Sequence, residues 1–198
     1  FQEQAERFGA VTEYAEVKSL DLRAEPKVVS TSEGDYFART VVIATGAGPR
    51  KLGLDGEERL SGRGIHYCAH CDGMFYRDKV VAIVGGGNSA AAEAAFLSRI
   101  AKKVILIHRR DTLRATKIYH EPLKNLSNLE FYWNSAVTEL IGDERLRAVR
   151  VKNLLSGEEE ELQIDALFVS IGRKPATDLV AGQLELENGY IAADESTQ

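Results

Sequence analysis

The sequence predicts an α/β protein built around a parallel sheet, and three observations carry this prediction. First, several apolar runs have the length and the β-branched composition of strands that are buried on both faces. Second, a glycine-rich turn and a segment of helical composition connect two of these runs, as in a βαβ unit. Third, small residues follow two of the runs, at the strand ends where ligands bind open α/β sheets. The runs are residues 40–44, 79–84, 104–107 and 166–171.

The composition excludes several classes of protein. With 198 residues, 44% of them hydrophobic, the chain can bury one good core or two small ones. No apolar run is long enough to span a membrane, and the polar first residues do not resemble a signal peptide. The net charge of -5 argues against nucleic acid as the main partner. The 2 cysteines are too few for a secreted disulfide scaffold, so we expect a cytoplasmic protein. From the apolar runs and the charge we expect neither membrane nor nucleic-acid partners.

The segments before the central βαβ unit alternate short strand patterns with turns. Residues 1–10 have the pattern of an amphipathic helix that ends near Gly9, and residues 33–35 mark a hairpin turn. Residues 49–64 lack periodicity and are expected to connect two units. Short strands are predicted at residues 11–14, 16–21, 27–30 and 36–39.

The segments after the βαβ unit predict a helix, an antiparallel meander and a last buried strand. Residues 116–126 have helical composition, interrupted by Pro122. Four alternating segments then indicate the meander, and residues 176–198 are expected to form a loop and a hairpin. The predicted meander strands are residues 129–132, 136–141, 146–153 and 160–164.

The turn after the second apolar run has the pattern G-x-G-x-x-A of a dinucleotide-binding turn. Gly85 permits a sharp turn, Gly87 lets the backbone approach a pyrophosphate, and the small Ala90 lets the helix pack against the strand. Asn88 and Ser89 belong to the start of the helix, where free N–H groups attract phosphate. Because a strand precedes the turn and a helix and a strand follow it, the sequence predicts dinucleotide binding.

A basic cluster stands where NAD-binding proteins carry an acidic residue. His108, Arg109 and Arg110 follow the second strand of the βαβ unit, and Arg114 comes shortly after them. Guanidinium groups bind a 2′-phosphate through charge-assisted hydrogen bonds, whereas a carboxylate would repel it. We therefore expect NADPH rather than NADH.

Both cysteines lie in one C-x-x-C motif, formed by Cys68 and Cys71 and followed directly by Asp72. This spacing lets two sulfurs cycle between dithiol and disulfide, and it also suits a pair of metal ligands. His66 and His70 add two further possible ligands, but no second separated pair is present to complete a tetrahedral zinc site. We therefore predict no metal site, and the nucleotide turn that follows favours a redox pair.

Together these motifs resemble those of the low-molecular-weight thioredoxin reductases of the bacterial type. The resemblance rests on residues 68–73, 85–90 and 108–110, with residues 44–47 upstream and Ile171, Gly172 and Pro175 downstream. It implies a homodimer that uses FAD and NADPH. A Rossmann-like NADPH-binding domain of the three-layer ββα type would be inserted into a second, FAD-binding Rossmann-like domain. Further cofactor contacts are implied at Thr45, Gly46, Ala47, Ile171 and Gly172.

The same resemblance implies three segments. Residues 1–49 would be part of the FAD-binding domain, residues 50–171 the NADPH-binding domain with the redox-active C-x-x-C, and residues 172–198 a truncated return segment. The glycine-rich FAD turn of the family does not precede Phe1, and the family's Gly-Asp flavin segment does not occur before Gln198. We therefore expect the chain to be a piece of a longer protein.

The activity that the resemblance implies is that of a thioredoxin-disulfide reductase. Electrons would pass from NADPH through FAD to the Cys68–Cys71 disulfide and then to a thioredoxin or thioredoxin-like protein. Asp72 would carry protons to the sulfurs, and Cys71 would be the sulfur nearer the flavin. Two alternatives are an NADH-dependent flavoprotein subunit of an alkyl hydroperoxide reductase and, for the chain by itself, an NADPH-binding module.

Overall fold

In the computed structural model, which describes residues 1–193, the chain divides into two units. The central unit is Pro49–Arg173, and the terminal unit combines Phe1–Gly48 with Lys174–Gln198. The last part of the predicted segment 176–198, residues 194–198, lies outside the described residues. Within residues 1–193, no helix is long and apolar enough to cross a membrane.

Strands and helices are numbered along the chain. The strands are β1 (Val17–Asp21), β2 (Lys27–Thr31), β3 (Gly34–Ala38), β4 (Ala47–Pro49), β5 (Ile65–His66), β6 (Val80–Gly85), β7 (Lys103–Ile107), β8 (Leu129–Tyr132), β9 (Ser135–Ile141), β10 (Ala148–Asn153), β11 (Glu159–Gln163), β12 (Ala166–Ser170), β13 (Arg173–Pro175), β14 (Leu186–Glu187) and β15 (Tyr190–Ile191). The α-helices are α1 (Gln2–Arg7), α2 (Glu57–Leu60), α3 (Ala69–Asp72), α4 (Asn88–Leu97) and α5 (His120–Lys124). Short 3₁₀ helices cover Gly73–Tyr76, Lys117–Tyr119 and Asp178–Val180.

The central unit is organised around a five-stranded sheet with the strand order β5–β12–β6–β7–β8. All neighbouring strands in it are parallel. The predicted strands at residues 79–84, 104–107 and 166–171 are β6, β7 and β12, which confirms the α/β prediction. Their carboxyl ends meet at one edge of the sheet, where open α/β sheets bind ligands.

Layers on both faces of this sheet explain why its central strands are apolar throughout. Val81 and Ile83 of β6 pack with Leu97 of α4 in one buried cluster. Ala82, between them, belongs to a second cluster with Val149 of the antiparallel sheet β11–β10–β9. Since successive side chains of a strand point to opposite faces, a strand between two layers needs apolar residues at every position. The result is a three-layer ββα unit.

The prediction that residues 129–132 belong to the antiparallel meander is wrong. They form β8, which pairs in parallel with β7 at the edge of the central sheet. Leu129 and Phe131 pack against the α4 side of that sheet, whereas Glu130 is exposed. An edge strand covered on one face alternates just as an antiparallel strand does, so the pattern could not separate the two. The rest of the predicted meander is confirmed as β9, β10 and β11.

The helices of the central unit differ from the prediction at their ends. Helix α4 begins at Asn88, within the predicted turn, and ends at Leu97. Residues 116–126 form a 3₁₀ turn followed by the short α5 instead of one helix. Pro122 lies in the first turn of α5, where its missing N–H costs no helical hydrogen bond.

The terminal unit contains α1, the antiparallel sheet β1–β2–β3 and the hairpin β14–β15. The Gln183 side chain joins its two chain segments. Its Oε1 accepts from the Leu22 N–H at 2.8 Å, and its Nε2 donates to the Leu20 carbonyl at 2.7 Å. The predictions of a helix within residues 1–10, of strands near 16–21, 27–30 and 36–39, and of a hairpin after residue 176 are confirmed.

Two strand predictions in the terminal unit are wrong. Residues 11–14 and 40–44 form no strand, and Val42 of the second run is 89% exposed. A strand that is apolar on both faces requires neighbouring strands and covering layers. Among the residues that the structure describes, no strand pairs with residues 40–44. The sequence pattern shows that this run is hydrophobic, but it does not show whether neighbouring strands and covering layers are present.

Candidate active site

The C-x-x-C motif follows the edge strand β5 and forms the short helix α3. Cys68 is the extended N-cap residue of α3, and its Sγ accepts a hydrogen bond from the Cys71 N–H at 3.2 Å. The two cysteines form a disulfide with a Cα–Cα distance of 5.3 Å. Cys71 is exposed and Cys68 is half-buried. The pair can therefore be reached from outside, and one sulfur already has a backbone donor.

Helix α3 is seated on helix α4 because Gly73 leaves room for the approach. A Cβ at Gly73 would lie 2.8 Å from Leu97 Cδ2, closer than carbon atoms pack. Next to this contact, the His70 ring stacks on Phe96 with 4.4 Å between ring centroids. His70, considered in the sequence as a metal ligand, thus packs against an aromatic ring. Within residues 1–193 no group of three or more His, Cys, Asp or Glu side chains could hold a metal ion.

A buried histidine lies behind the disulfide and was not assigned a function from the sequence. His66 is 7% exposed and lies against Phe168, with 5.4 Å between ring centroids. Its Nδ1 is 3.0 Å from Asp72 Oδ2, and its Nε2 is 2.7 Å from the Tyr76 hydroxyl. The Asp72 carboxyl, which is the predicted proton carrier, is therefore one end of a series of three hydrogen-bonded side chains, and Asp72 is half-buried.

Glu93 of α4 is a second residue that sequence reasoning missed. Its carboxyl group is half-buried, and burial raises its pKa. Hydrogen bonds from the Ser170 side chain and the Ala69 backbone, together with the charge of His70, act in the opposite direction. Glu93 thus connects the start of α3 to the end of β12. An acidic residue on an otherwise alanine-rich helix was the available signal.

An open cavity of about 650 Å³ in the central unit exposes the disulfide. Cys68, Cys71 and Asp72 all line it, together with the side chains of His66 and Tyr76. Phe75, another lining residue, is 79% exposed. A reactant that enters this cavity would meet both sulfurs and the carboxyl group at once.

The predicted nucleotide turn lies at the carboxyl end of β6, and its first glycine has a role other than the one expected. Gly85 has a φ of +155°, and a Cβ there would lie 2.2 Å from the Ser170 carbonyl oxygen of β12. Gly85 is therefore required by the neighbouring strand, and Ala90 packs under it in the core. A Cβ at Gly87 would meet no atom within 4 Å. This open side of Gly87 leaves the space that a pyrophosphate needs.

His108, at the end of β7, is buried beside this turn and lacks a hydrogen-bond partner on one nitrogen. It is 4% exposed, and its Nε2 bonds to no atom of the described residues. A Cβ at Gly86 would lie 2.1 Å from His108 Cε1, so only glycine leaves room for this ring. Burial lowers the pKa of His108, and the positive charges of Arg114, Arg110 and Arg109 lower it further. These effects favour the neutral ring, and Nε2 remains without a partner among the described residues.

The backbone fastens Arg114 to the glycine-rich turn. The Gly86 carbonyl accepts from the Arg114 N–H at 2.7 Å and from the Ala115 N–H at 3.1 Å. Asn88 Oδ1 accepts from the Thr116 N–H at 2.8 Å. Asn88, predicted as a phosphate contact, therefore uses its side-chain oxygen to hold this loop, whereas Ser89 stays exposed in the first turn of α4.

Arg109, Arg110 and Arg114 are exposed, and none forms an ion pair within residues 1–193. A cavity of about 470 Å³ at this edge of the sheet is lined by Gly86, His108, Arg109 and Arg114 among others. Arg110 does not line it. Unpaired guanidinium groups and an unsatisfied imidazole beside an open glycine turn fit a phosphorylated nucleotide.

The further cofactor contacts that the resemblance implies lie in different units. Thr45, Gly46 and Ala47 are in the terminal unit, where Thr45 Oγ1 donates to the Ala176 carbonyl and the Ala176 N–H donates to the Gly46 carbonyl at 2.9 Å. Ile171 and Gly172 are in the central unit. Ile171 lines the nucleotide cavity. The Thr45 hydroxyl is already used within the chain, so it is not free to donate to a ligand.

Comparison with known proteins assigns the chain to a family. Residues 3–198 match the family described as pyridine nucleotide-disulphide oxidoreductases. The thioredoxin reductase of Streptomyces coelicolor is 45% identical over 193 residues, which cover 96% of this chain and 60% of that protein. The thioredoxin reductase of Mycolicibacterium smegmatis is 42% identical over 197 residues, 99% of this chain and 63% of that protein. The chain thus spans less than two thirds of the length of these relatives.

Solved structures give the same result. The thioredoxin reductase of Lactococcus lactis, in the FR conformation, matches with a TM-score of 0.85 and 33% identity over 99% of this chain and 65% of that chain. The thioredoxin reductase of T. acidophilum matches with a TM-score of 0.82 and 31% identity over 98% of this chain and 64% of that chain. The Rossmann-like α/β fold and the resemblance to thioredoxin reductases are confirmed. The chain belongs to the pyridine nucleotide-disulphide oxidoreductase family.

Proposed function

We propose that the chain carries the redox-active dithiol of an NADPH-dependent thioredoxin-disulfide reductase. The observation that carries the proposal is that one folded unit combines a disulfide open to a cavity with an arginine-lined nucleotide cavity. Residues 50–171 would be the NADPH-binding domain, and residues 1–49 and 172–198 would belong to an FAD-binding domain. Relatives named thioredoxin reductase, 45% and 43% identical to this chain, support the same activity.

NADPH would be held by residues of the glycine-rich turn and the basic cluster. The pyrophosphate would lie against the open side of Gly87 and the first turn of α4, where Ser89 is exposed. Arg109, Arg110 and Arg114 would bind the 2′-phosphate, since their guanidinium groups are not neutralised within the described chain. His108, which lines the same cavity, would lie against the ligand.

FAD contacts are proposed at residues 45–47, 171 and 172, with Thr45 contributing its backbone rather than its hydroxyl. When bound, the flavin and the nicotinamide would supply a hydride equivalent, which is two electrons and one proton. The residues of this chain would receive it at the Cys68–Cys71 disulfide, which takes up two electrons and two protons to become a dithiol. The second proton would come from Asp72, which lines the same cavity.

Of the two sulfurs, Cys68 is the better placed to hold negative charge. Its Sγ accepts the Cys71 N–H at 3.2 Å, and a hydrogen-bond donor stabilises a thiolate more than a thiol. The Cys68 thiolate would attack one sulfur of the partner disulfide and displace the other sulfur as a thiolate. Cys71 would then attack the mixed disulfide, so that the Cys68–Cys71 disulfide forms again and the partner leaves as a dithiol. Cys71 would be the sulfur nearer the flavin.

The proposed partner is a thioredoxin or thioredoxin-like protein, and the proposed setting is a cytoplasmic homodimer. The open cavity at the disulfide and the relatives named thioredoxin reductase support the partner. The reducing cytoplasm suits a dithiol that must turn over.

A single-turnover exchange tests the thioredoxin assignment without any cofactor. The chain is reduced with excess dithiothreitol, freed of it, and mixed with oxidised thioredoxin; thiols on both proteins are then alkylated and counted by mass spectrometry. We expect the Cys68–Cys71 disulfide to form again as thioredoxin is reduced, with one thioredoxin disulfide reduced for each disulfide formed. Cys68→Ser should abolish the transfer. Absence of thiol transfer from the wild-type dithiol would contradict the proposed partner.

Nucleotide preference separates the proposal from the peroxide-system alternative. The chain should bind NADPH more tightly than NADH when binding is followed through the fluorescence of Trp133, which lies 6.3 Å from the His108 ring between centroids. Equal affinities would favour an NADH-dependent flavoprotein of the alkyl hydroperoxide reductase type. NADPH binding without any dithiol exchange would favour the nucleotide-binding module alone.

A further inference from the structure

We propose that His66 is a positioning residue for Asp72 that also exchanges a proton with it when the Cys68–Cys71 disulfide is reduced, with the Tyr76 hydroxyl at the far end of the chain. The proposal rests on the proposed function in one respect, which is that the disulfide accepts electrons. The three side chains are hydrogen-bonded in series, from the half-buried Asp72 through the buried His66 ring to the half-buried Tyr76.

The partners of His66 can satisfy its ring in either protonation state. A carboxylate only accepts hydrogen bonds, so Nδ1–H donates to Asp72 Oδ2 at 3.0 Å. A neutral ring accepts the Tyr76 hydroxyl proton at Nε2, whereas a charged ring donates from Nε2 to the hydroxyl oxygen at 2.7 Å. Because a hydroxyl both donates and accepts, Nε2 keeps its hydrogen-bond partner whether or not it carries a proton. His108, with one nitrogen unsatisfied, has no such arrangement.

The groups around the ring keep the far end of this chain protonated. Burial raises the pKa of Tyr76, the negative charges of Asp72 and Asp165 raise it further, and Arg145 acts in the opposite direction. The Tyr76 hydroxyl therefore remains available as donor and acceptor. Phe168 of β12 covers one face of the His66 ring and contributes no charge. Among the described residues, Asp72 is thus the only charged group that hydrogen-bonds to the ring.

The proton balance of the reduction requires such a group. The disulfide takes up two electrons and two protons to give two thiols, and the hydride equivalent of the proposed reaction carries both electrons and one proton. The other proton passes from His66 Nδ1 to Asp72 Oδ2 and from there to the sulfur released when the S–S bond breaks. His66 is left neutral with its remaining proton on Nε2, which donates to the Tyr76 hydroxyl oxygen. Oxidation of the dithiol returns the proton along the same path.

The first test follows the His66 ring itself in the full 198-residue chain by NMR. The chain has 4 histidines, so the ring signal of His66 can be assigned by elimination with variants of the other three. We expect the titration midpoint of His66 to move to higher pH when dithiothreitol converts the disulfide to the dithiol, because a thiolate near Asp72 adds negative charge. An identical midpoint in both redox forms would overturn the proposal, and no variant of His66 is needed.

The second test measures the alkylation rate of the reduced cysteines by iodoacetamide between pH 5 and 9. His66→Asn retains an N–H donor for Asp72 but cannot take up a proton. We expect its alkylation rate to fall about tenfold near pH 6, because an unrelieved Asp72 carboxylate disfavours the thiolate, and to match the wild type at high pH. The matched control His120→Asn, in α5, should not change the profile. An unchanged profile for His66→Asn would show that His66 is only structural.

Neither test uses thioredoxin, NADPH or a flavin. If the protein fails to reduce thioredoxin but the titration of His66 depends on the redox state of the disulfide, the proposed partner is contradicted. The proposed proton transfer between His66 and Asp72 is then still supported. If the protein reduces thioredoxin but the titration midpoint of His66 is the same in both redox forms, only the proposed proton transfer is contradicted.

Discussion

His66 and His108 are both buried in the central unit, yet their hydrogen bonding is opposite. His66 has partners on both ring nitrogens, whereas His108 Nε2 has none within the described residues. A buried polar atom without a partner carries an energetic cost of about 1–3 kcal/mol. The fold therefore tolerates this cost beside the glycine-rich turn and avoids it beside the disulfide. This difference in hydrogen bonding distinguishes the surroundings of the proposed nucleotide site from those of the proposed reaction site.

The largest expected effect tests the binding side of this contrast. The double variant Arg109→Ala, Arg110→Ala should weaken NADPH binding about 100-fold, since each charge-assisted hydrogen bond contributes about 1.5–3 kcal/mol. NADH lacks the 2′-phosphate and should lose much less affinity. Titration calorimetry with both nucleotides measures the difference. Lys102→Ala, at the opposite end of β7, is the control, and equal losses for NADPH and NADH would refute the 2′-phosphate assignment.

The variants Gly86→Ala and Gly87→Ala should show which glycine makes space for the His108 ring and which makes space for a bound nucleotide. A Cβ at Gly86 would overlap the His108 ring, so this variant should lose about 2 kcal/mol of stability as well as nucleotide affinity. A Cβ at Gly87 meets nothing, so Gly87→Ala should unfold like the wild type and still bind NADPH less well. Urea unfolding, followed through Trp133, gives the stabilities. Normal NADPH binding by Gly87→Ala would place the pyrophosphate elsewhere.

Tyr76→Phe should leave His66, like His108, with a buried ring nitrogen that has no hydrogen-bond partner. The variant leaves His66 Nε2 buried without its hydroxyl partner and should cost about 1–2 kcal/mol in urea unfolding. The matched control is Tyr132→Phe, whose hydroxyl contacts the exposed Glu160 and should contribute close to nothing. Equal stabilities of the two variants would mean that the His66–Tyr76 hydrogen bond contributes no more to the free energy of unfolding than a surface contact does.

The smallest effect is a pH dependence that comes from His108. Because the pKa of this ring is lowered in the folded chain, the unfolded chain binds more protons once the pH falls below the ordinary value of 6.5. Stability should therefore decline below that pH, with a slope of at most about 1.4 kcal/mol per pH unit, and level off below the folded pKa. His108→Gln should lack this component. Urea unfolding at several pH values measures it, and an unchanged pH profile in His108→Gln would show that His108 is not its source.

The sequence predicted those parts of the central unit in which local pattern and tertiary environment agree. The strands β6, β7 and β12, the glycine-rich turn and the position of the basic cluster all followed from residue types at fixed spacings. Residues 129–132 show where this fails, because an edge strand alternates in either kind of sheet. Residues 40–44 fail for a related reason: their pattern requires neighbours, and a local pattern does not reveal whether neighbours are present.

By itself the sequence determined which chemistry is available: one C-x-x-C pair, one dinucleotide turn and arginines where an acidic residue would favour NAD. Those features are encoded by neighbouring residues, so local spacing suffices to read them. Only the tertiary structure decided that His66 joins Asp72 to Tyr76, that Gly86 makes room for His108, and that Glu93 lies under α3. Each of these depends on side chains that different elements bring together. Burial and hydrogen-bond partnership are properties of the packed chain, so only the structure could distinguish the two buried histidines.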